Sequence, residues 1–361
     1  MAQESTVFES GGTRIFLGAG SLEAFVGSDL LAKRRVLVLT DANTERDCLP
    51  ILRRMLPTAM HLSIPAGESA KSLAHVERVW EALTVNRFER GDLVIHLGGG
   101  MVCDLGGFAA STYKRGIPFV QIPTTLLALA DASVGGKTGI NFLGYKNQIG
   151  AFSHPLAVVA DARFLGTLPE RELRSGYAEV LKHCLLDGDK TGFLQPIPEK
   201  GSSDWDRIIE TAIRSKLRIT EQDPTEKGIR KALNLGHTVG HAVESHFLET
   251  RADAPLLHGE AVALGLACEA WIAWKRGMLG LEDFELVVGI LERTFGWVDF
   301  GDTEIAEIAA WALQDKKNQD GRVNCSLLRG IGAFEIDQWV GISEIEESLG
   351  AYLQHFKSSP A

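Results

Sequence analysis

The sequence predicts an N-terminal α/β domain with a mainly parallel sheet, followed by a mostly α-helical C-terminal domain. Two observations carry the first part of this prediction. Runs of consecutive apolar residues are typical of strands buried on both faces, and a helical pattern separates two of these runs. Such alternation of strands with helices indicates a parallel sheet. The predicted strands occupy 35–40, 93–97, 119–122 and 156–160, and the predicted helix occupies 73–86.

Helical patterns dominate the chain from about residue 170 onward, followed by a short strand pair near 322–328. This change of texture predicts a boundary near residue 170. We therefore expect an α/β domain over 1–170 and a helical domain over 171–361. The predicted helices of the second domain occupy 170–186, 205–221, 231–246, 259–276 and 282–294.

Composition and charge exclude several classes of protein. Of the 361 residues, 45% are hydrophobic and 23% are charged, which is typical of a globular protein and excludes a disordered, collagen-like or coiled-coil chain. The chain has 37 Lys and Arg against 47 Asp and Glu, and the resulting net charge of −10 argues against nucleic acid as the main partner. A small anionic ligand is compatible with this charge, because a few clustered cations can form a local positive pocket.

The cysteines and the apolar segments bear on the cellular compartment. The five cysteines are widely spaced and form no CxxC pair, so we expect a reducing compartment with neither a disulfide framework nor a thiolate zinc site. The first ten residues show no secretory pattern. The longest apolar stretch, 261–274, contains Glu269 and is too short to span a bilayer. We expect a cytoplasmic protein with no membrane partner.

Two predicted strand ends carry residues that are found in nucleotide-binding sites. Three glycines at 98–100 follow one strand and precede a helical pattern, so the backbone there can approach a phosphate at a helix N-terminus. Asp41 follows another strand, where a carboxylate can bind ribose hydroxyls. Each feature has an equally common structural explanation, which is a tight turn for the glycines and a helix cap for Asp41.

A glycine-containing loop at 131–138 looks like a P-loop but lacks a required glycine, because Asp131 stands in its place. Asp131 and Lys137 flank small residues, and Lys146 and Asn147 follow shortly. Four polar groups in so compact a segment favour anion binding over a merely solvated loop.

Histidines in the helical region predict a metal site. His237 and His241 are four residues apart, which places both rings on one face of a helix, and His258 follows. An earlier helix carries Glu179 and Lys182. Two or three imidazoles with one carboxylate and no thiolate suit a catalytic zinc with an open position, and the absence of HExxH argues against a zincin protease. For any single histidine, a hydrogen-bonded core or surface role is the commoner explanation.

These motifs together resemble the 3-dehydroquinate synthase family. The resemblance extends from about residue 14 to residue 330 in the family's order, over many specific motifs. It rests on segments 98–116, 122–126, 131–139, 146–147, 168–172 and 175–182, on Arg230 and Asn234, and on segments 236–238, 240–242 and 257–260.

The resemblance implies an NAD-binding α/β domain, a helical domain and an active site that uses both. It implies that Glu179, His237 and His258 bind zinc, for which cobalt is a plausible substitute. The implied NAD-binding residues are Asp41, Asn43, Glu68, Lys71, Gly99, Gly100, Asp104, Thr124, Thr125, Lys137, Lys146, Thr167, Leu168 and Glu172. The implied substrate and catalytic residues are Asp131, Lys137, Lys146, Asn147, Lys182, Lys216, Glu226, Arg230, Asn234, His241 and either Lys316 or Lys317. Arg115 would reach the phosphate in the neighbouring subunit of a homodimer.

The implied reaction converts 3-deoxy-D-arabino-heptulosonate 7-phosphate to 3-dehydroquinate and phosphate. It proceeds by transient oxidation with NAD, β-elimination of phosphate, re-reduction, ring opening and aldol closure. Three other classes are weighed against it. A related sugar-phosphate cyclase would act on a substrate without a carboxylate, a metal-dependent polyol or alcohol dehydrogenase would consume NAD, and a non-catalytic sugar-phosphate binder would not need metal ligands. A carboxylate clamp of Lys216, Arg230 and Asn234 favours the synthase.

The chain departs from the family's usual pattern at two places. In segment 141–147, Tyr145 replaces a glycine just before Lys146, so the backbone path to that lysine is expected to differ. The segment between His241 and His258 is longer than usual, and 248–256 is interpreted as a surface insertion. Neither departure removes an implied ligand.

Overall fold

The computed structural model describes residues 5–143, 145–313 and 322–358. The chain divides into two units. The first comprises Met1–Leu173 and Pro198–Glu221, and the second comprises Arg174–Ile197 and Gln222–Ala361. The chain therefore passes between the units three times, whereas a single boundary near residue 170 requires only one passage.

The first unit is built on a seven-stranded sheet with the strand order β1-β2-β9-β6-β5-β3-β4. All neighbouring pairs are parallel except the β1–β2 hairpin at one edge. A separate antiparallel hairpin, β7–β8, also belongs to this unit. The strands of the chain are β1 (Thr6–Ser10), β2 (Thr13–Leu17), β3 (Val36–Asp41), β4 (Met60–Ile64), β5 (Leu93–Gly98), β6 (Phe119–Pro123), β7 (Lys137–Phe142), β8 (Tyr145–Phe152), β9 (Ala157–Ala160), β10 (Arg322–Gly330) and β11 (Ala333–Gly341).

The four strands predicted from the sequence are β3, β5, β6 and β9, which are confirmed and occupy the middle of the sheet. Their residues alternate between two hydrophobic cores, because successive side chains of a strand point to opposite faces. Leu37 and Leu39 face one core, and Val38 faces the other. The edge strands β1 and β4 were not predicted from the sequence, because they are partly exposed and lack a continuous run of apolar residues.

Helices cover both faces of this sheet, with α4 and α5 on one side and α1 and α3 on the other. The helices of the chain are α1 (Ser21–Val26), α2 (Ala42–Asp47), α3 (Leu49–Met55), α4 (Leu73–Val85), α5 (Gly100–Thr112), α6 (Glu170–Asp187), α7 (Lys190–Phe193), α8 (Asp204–Gln222), α9 (His237–Thr250), α10 (His258–Lys275), α11 (Leu281–Phe295), α12 (Ile305–Ala312) and α13 (Ile342–Ser358).

Helix α8 belongs with the first unit, although the sequence placed it in the helical domain. Contacts with the N-terminal hairpin region explain this assignment. Asp206 accepts a hydrogen bond from the amide nitrogen of Ala19 at 3.3 Å, and the Arg214 guanidinium lies 4.3 Å from the centre of the Phe8 ring. These partners are about 200 residues distant in sequence, so no local pattern reveals them.

The second unit combines helices with the predicted late strand pair, β10–β11. Its helices include α6, α9 and α10, on which the metal-site prediction depends. The predicted helix over 231–246 is wrong in its first part, where a 3-10 helix, Ile229–Asn234, precedes α9. Gly236 separates the 3-10 helix from α9. Its φ of 77° lies in the left-handed region of backbone conformation, which favours glycine. No helix in 5–143, 145–313 or 322–358 combines the length and apolar character of a membrane span.

Glycines allow helices of the second unit to approach each other closely. A Cβ atom at Gly265 of α10 would lie 2.0 Å from the carbonyl oxygen of Gly236 and 2.6 Å from the amide nitrogen of Gly240. A Cβ atom at Gly259 would lie 1.8 Å from the carbonyl oxygen of Ser175 on α6. The backbones at the starts of α9 and α10 therefore pack so closely against their neighbours that only glycine fits at Gly265 and Gly259.

We expect Gly265→Ala to lower the free energy of unfolding by about 1–3 kcal/mol, the usual cost of overpacking. The two atoms that the new methyl group would meet belong to the backbone, so a change of rotamer cannot relieve the clash. Urea denaturation measures the effect.

Gly289→Ala is the matched control, because the nearest atom to a Cβ there is the Arg293 Nη1 at 3.5 Å. At this position within α11, alanine should raise the stability by up to about 1 kcal/mol through its higher helix propensity. Equal effects of the two substitutions would contradict the close approach of α9 and α10.

Candidate active site

A cluster of histidines and a carboxylate lies in the second unit. Glu179 projects from α6, His237 and His241 lie on the first turns of α9, and His258 is the first residue of α10. Glu179 Oε1 is 3.4 Å from His237 Nε2 and 3.8 Å from His258 Nε2. Three segments that are distant in sequence thus bring the three predicted ligands together.

Two hydrogen bonds orient the imidazoles of this cluster. His237 Nδ1 is 3.1 Å from the carbonyl oxygen of Leu235, and His258 Nδ1 is 3.3 Å from Glu244 Oε2. If each Nδ1 carries the proton for these contacts, the lone pair of each Nε2 is directed to Glu179, as in metal sites. Burial, and then the Lys182 ammonium, hold the pKa of His237 well below its usual range, so this imidazole is neutral near pH 7.

Glu179 is the residue whose surroundings fit a cation best. Its side chain is 2% exposed, and no backbone amide or neutral side chain among the described residues donates a hydrogen bond to either carboxylate oxygen. The Lys182 ammonium forms an ion pair with Glu179 Oε2. Lys182 Nζ also donates to the carbonyl oxygen of Leu233 at 2.9 Å. One buried carboxylate with two imidazole Nε2 atoms is a donor set that suits a divalent metal such as zinc.

His241 lies as close to this cluster as the predicted ligands do. Its ring centre is 5.2 Å from that of His237 and 5.6 Å from that of His258, and ligand atoms of the three histidines lie within 4.8 Å of one another. The residue that sequence reasoning missed is Glu244, which holds His258. Its signal was the spacing His241-x-x-Glu244, which places both residues on one face of α9.

Polar groups of the second unit surround the 3-10 helix Ile229–Asn234. Arg230 is buried, and its Nη1 donates to the carbonyl oxygen of Pro224 at 2.8 Å. Asn234 Nδ2 donates to Glu226 Oε1 at 2.9 Å, and Glu226 has a positive φ of 61°. The structure thus joins Asn234 and Glu226, two of the predicted substrate residues.

In the first unit, a buried ion pair joins two predicted NAD-binding residues. Lys71 Nζ lies 2.6 Å from Asp104 Oδ2 and also donates to Asn147 Oδ1. Burial raises the pKa of Asp104, while Lys71 opposes that rise. Asn141 connects the same region, because its Nδ2 donates to Glu68 Oε1 and its Oδ1 accepts from the amide of Asn147. The β7–β8 hairpin is thereby tied to the loop that carries Lys71.

A second ion pair in the first unit joins Lys216 of α8 to Asp131. The Lys216 Nζ is 2.8 Å from Asp131 Oδ1 and 2.6 Å from the carbonyl oxygen of the same residue. The two paired residues are 85 positions apart in the sequence. Lys137 and Lys146 are exposed.

The predicted nucleotide-binding turns also have clear local geometry. Gly99 is the N-cap of α5, and a Cβ atom there would lie 2.9 Å from Thr125 Cγ2. Asp41 is a helix cap, since its Oδ1 accepts the amide hydrogens of Asn43 and Thr44, both at 2.9 Å. Both structural explanations offered for these motifs are thus present.

The structure puts the remaining predicted residues in varied settings. Thr124 and Leu168 are buried, whereas Thr167 and Glu172 are exposed. Cys103 is buried, and burial raises the pKa of its thiol, so it is a packing residue. Lys316 and Lys317 lie outside the described residues.

Comparisons with known proteins agree over most of the chain. Residues 61–175 match the family model for the 3-dehydroquinate synthase N-terminal region, and residues 176–318 match the C-terminal one. A 3-dehydroquinate synthase of Parabacteroides distasonis is 39% identical over 341 residues, which cover 93% of this chain and 95% of that protein. The chain belongs to the 3-dehydroquinate synthase family. Its activity is therefore the synthesis of 3-dehydroquinate.

Solved structures confirm the predicted fold class of this 3-dehydroquinate synthase family member. A 2-deoxy-scyllo-inosose synthase complexed with carbaglucose-6-phosphate, NAD+ and Co2+ superposes with a TM-score of 0.83 at 22% identity, over 96% of this chain and 99% of that one. The 2-epi-5-epi-valiolone synthase of Streptomyces hygroscopicus, with NAD+ and Zn2+ bound, gives a TM-score of 0.80 at 27% identity, over 98% and 100%.

Lys71 and Asp104 are expected to be energetically coupled. Asp104→Ala leaves a buried ammonium without its carboxylate, and breaking such a pair typically costs about 3–5 kcal/mol. The Lys71→Met, Asp104→Ala double variant should lose less stability than the sum of the single variants, with a coupling of about 0.5–3 kcal/mol. Urea denaturation of the four proteins completes the cycle.

The exposed pair of Lys114 and Glu89, with Nζ and Oε2 2.9 Å apart, is the control. Its coupling should stay below about 1 kcal/mol. Additive effects of the Lys71 and Asp104 substitutions would refute the buried pair.

Proposed function

We propose that this family member converts 3-deoxy-D-arabino-heptulosonate 7-phosphate to 3-dehydroquinate and phosphate, as a carbon–oxygen lyase that uses catalytic NAD and a divalent metal. The observation that carries the metal proposal is the position of Glu179. This buried carboxylate accepts no hydrogen bond from a backbone amide or a neutral side chain of the described residues, and its Oε1 lies 3.4 Å and 3.8 Å from two imidazole nitrogens. The relatives of known structure named above hold NAD+ with Co2+ or Zn2+, which supports both cofactors. We propose zinc, with cobalt as a substitute.

Glu179, His237 and His258 would hold the metal, and the hydrogen bonds that the imidazoles donate to the Leu235 carbonyl and the Glu244 carboxylate keep the two rings oriented for it. When bound, the metal lowers the pKa of a ligated substrate hydroxyl, and NAD accepts and returns a hydride. Lys182 places a positive charge beside Glu179, where it favours an alkoxide over the neutral hydroxyl. His241 is proposed as a substrate-binding residue on the same face of α9.

The substrate carries a phosphate and a carboxylate, and both need cationic partners. We propose that Arg230 and Asn234 bind the carboxylate, and that Lys216 is also a substrate-binding residue. Arg230 suits this role because a guanidinium can bind a carboxylate through two parallel hydrogen bonds. Lys137, Lys146 and Asn147 are proposed to bind phosphate groups.

The NAD site is proposed in the first unit, around the strand ends of the parallel sheet. Gly99 and Gly100 at the start of α5 leave room for a pyrophosphate, and the amides of a helix N-terminus favour its negative charge. Lys71 and Asp104 are proposed to contact the nucleotide. The remaining proposed NAD-binding residues are Asp41, Asn43, Glu68, Thr124, Thr125, Lys137, Lys146, Thr167, Leu168 and Glu172.

A metal chelator is expected to abolish activity, and zinc or cobalt to restore it, because the proposed donor set leaves a position for the substrate. The assay supplies the heptulosonate phosphate with trace NAD and follows both phosphate and 3-dehydroquinate. His237→Ala should weaken metal binding beyond rescue at ordinary zinc concentrations. Full turnover by protein that elemental analysis shows to be metal-free would refute the metal proposal.

His246→Gln is the matched control, because His246 lies on the same helix but pairs with Glu304 at 2.8 Å. This variant should keep its metal. Sedoheptulose 7-phosphate, which lacks the carboxylate, tests the rival cyclase activity. A preference for it would contradict the proposed substrate.

We also propose a homodimer in which Arg115 reaches the partner's phosphate site. Arg115 is exposed, has a positive φ of 66°, and makes no hydrogen bond or ion pair within the described part of the chain. It therefore does not cap the carbonyl groups at the end of the preceding helix. An exposed guanidinium that makes no hydrogen bond or ion pair among the described residues fits a role in a neighbouring subunit.

Arg115→Ala and Glu179→Ala should each be nearly inactive alone. In a mixed dimer, one site carries both defects and the other carries neither, so random reassortment should restore about a quarter of wild-type activity. The two proteins are denatured and refolded together, and mixtures without subunit exchange are the control. Near-normal activity of Arg115→Ala, or inactive refolded mixtures, would refute the contribution across subunits.

A further inference from the structure

Helix α9 lacks a cap of its own, although it carries two residues of the histidine cluster. Its N-cap residue is Gly236, which has no side chain, so no local acceptor serves the first amide groups. By contrast, α13 is capped from within its own first turn, where Glu344 accepts from the amide of Gly341 at 2.9 Å. The first turn of α9 must therefore find acceptors elsewhere.

Those acceptors belong to Glu269, a completely buried residue on α10. Its Oε2 accepts the amide hydrogen of Gly236 at 2.6 Å. Its Oε1 accepts the amide hydrogens of Thr238 and Val239 at 3.1 Å and 3.2 Å. The residue within this bonded turn is His237, so three of the four consecutive amides around a proposed metal ligand are fixed by one carboxylate.

Glu269 also lies on the helix that begins with His258. One side chain therefore joins the two helices that supply both imidazole ligands. A buried carboxylate is costly unless it is hydrogen-bonded, and this one finds its donors in the first turn of α9. The close contact at Gly265, one turn before Glu269, keeps the two helices within the reach of this side chain.

We infer that Glu269 is a positioning residue of the metal site, which fixes the first turn of α9 so that His237 Nε2 faces Glu179. This inference rests on the proposed metal-dependent function. Glu244 holds the ring of His258 directly, whereas Glu269 acts on His237 through the backbone.

The test is metal affinity of the purified full-length protein. Zinc is titrated into metal-free protein against a chromophoric chelator, and thermal unfolding is measured on the same samples. Glu269→Ala removes all three acceptor contacts and should weaken zinc binding about 100-fold, the upper range for residues that orient ligands. Glu269→Gln keeps one acceptor oxygen and should weaken it about tenfold, so the conservative variant rescues part of the loss.

Glu344→Gln is the control, because it alters a carboxylate that caps α13, which carries no proposed ligand, and that pairs with Arg276 at the end of α10 opposite His258. It should bind zinc like the wild type even if its melting temperature falls. If Glu269→Ala does not fold, the test is the comparison of zinc affinity between Glu269→Gln and Glu344→Gln. Equal zinc affinity of these two variants would overturn the inference. Failure of the wild type to bind zinc would instead overturn the proposed function.

Discussion

The close approach of α9 and α10 is the constraint on which the candidate metal site depends. The proposed ligands come from three separate segments, and two of them, His237 and His258, are the first residues of these two helices. Their rings can face Glu179 only if the helix starts are held together. Glycines at the contact make this possible, because backbone meets backbone where any side chain would clash.

Hydrogen bonds then orient the side chains that this packing brings together. Carbonyl and carboxylate oxygens hold Nδ1 of both imidazoles, so that each Nε2 is available to a metal. Glu179 is buried and accepts no backbone amide hydrogen among the described residues, in contrast to Glu269, whose oxygens accept three. The two buried carboxylates therefore differ in role. Glu269 is satisfied by the backbone, whereas Glu179 is paired with Lys182 and faces the Nε2 atoms of two imidazoles.

Each unit also contains cations buried beside carboxylates, within a chain of net charge −10. Lys71 pairs with Asp104 and Lys216 pairs with Asp131 in the first unit, and Lys182 pairs with Glu179 in the second. The net charge of the chain therefore does not predict the charge of the individual side chains buried within each unit. The acidic total argues against polyanion binding, whereas the buried lysines are each balanced by a neighbouring carboxylate.

The sequence by itself determined the central strands, most of the helices and the family, because these depend on local apolar patterns and on motifs that are contiguous in the chain. It also identified the three residues that meet as the candidate metal ligands. Tertiary structure alone decided that α8 joins the first unit, that Gly236 breaks the predicted 231–246 helix, and that Glu244 and Glu269 hold the site. These outcomes depend on contacts between distant segments. Glu269 is a carboxylate within an apolar helix, and its role cannot be predicted from the sequence. The role is evident only in the folded chain, where Glu269 accepts amide hydrogens from residues about 30 positions earlier.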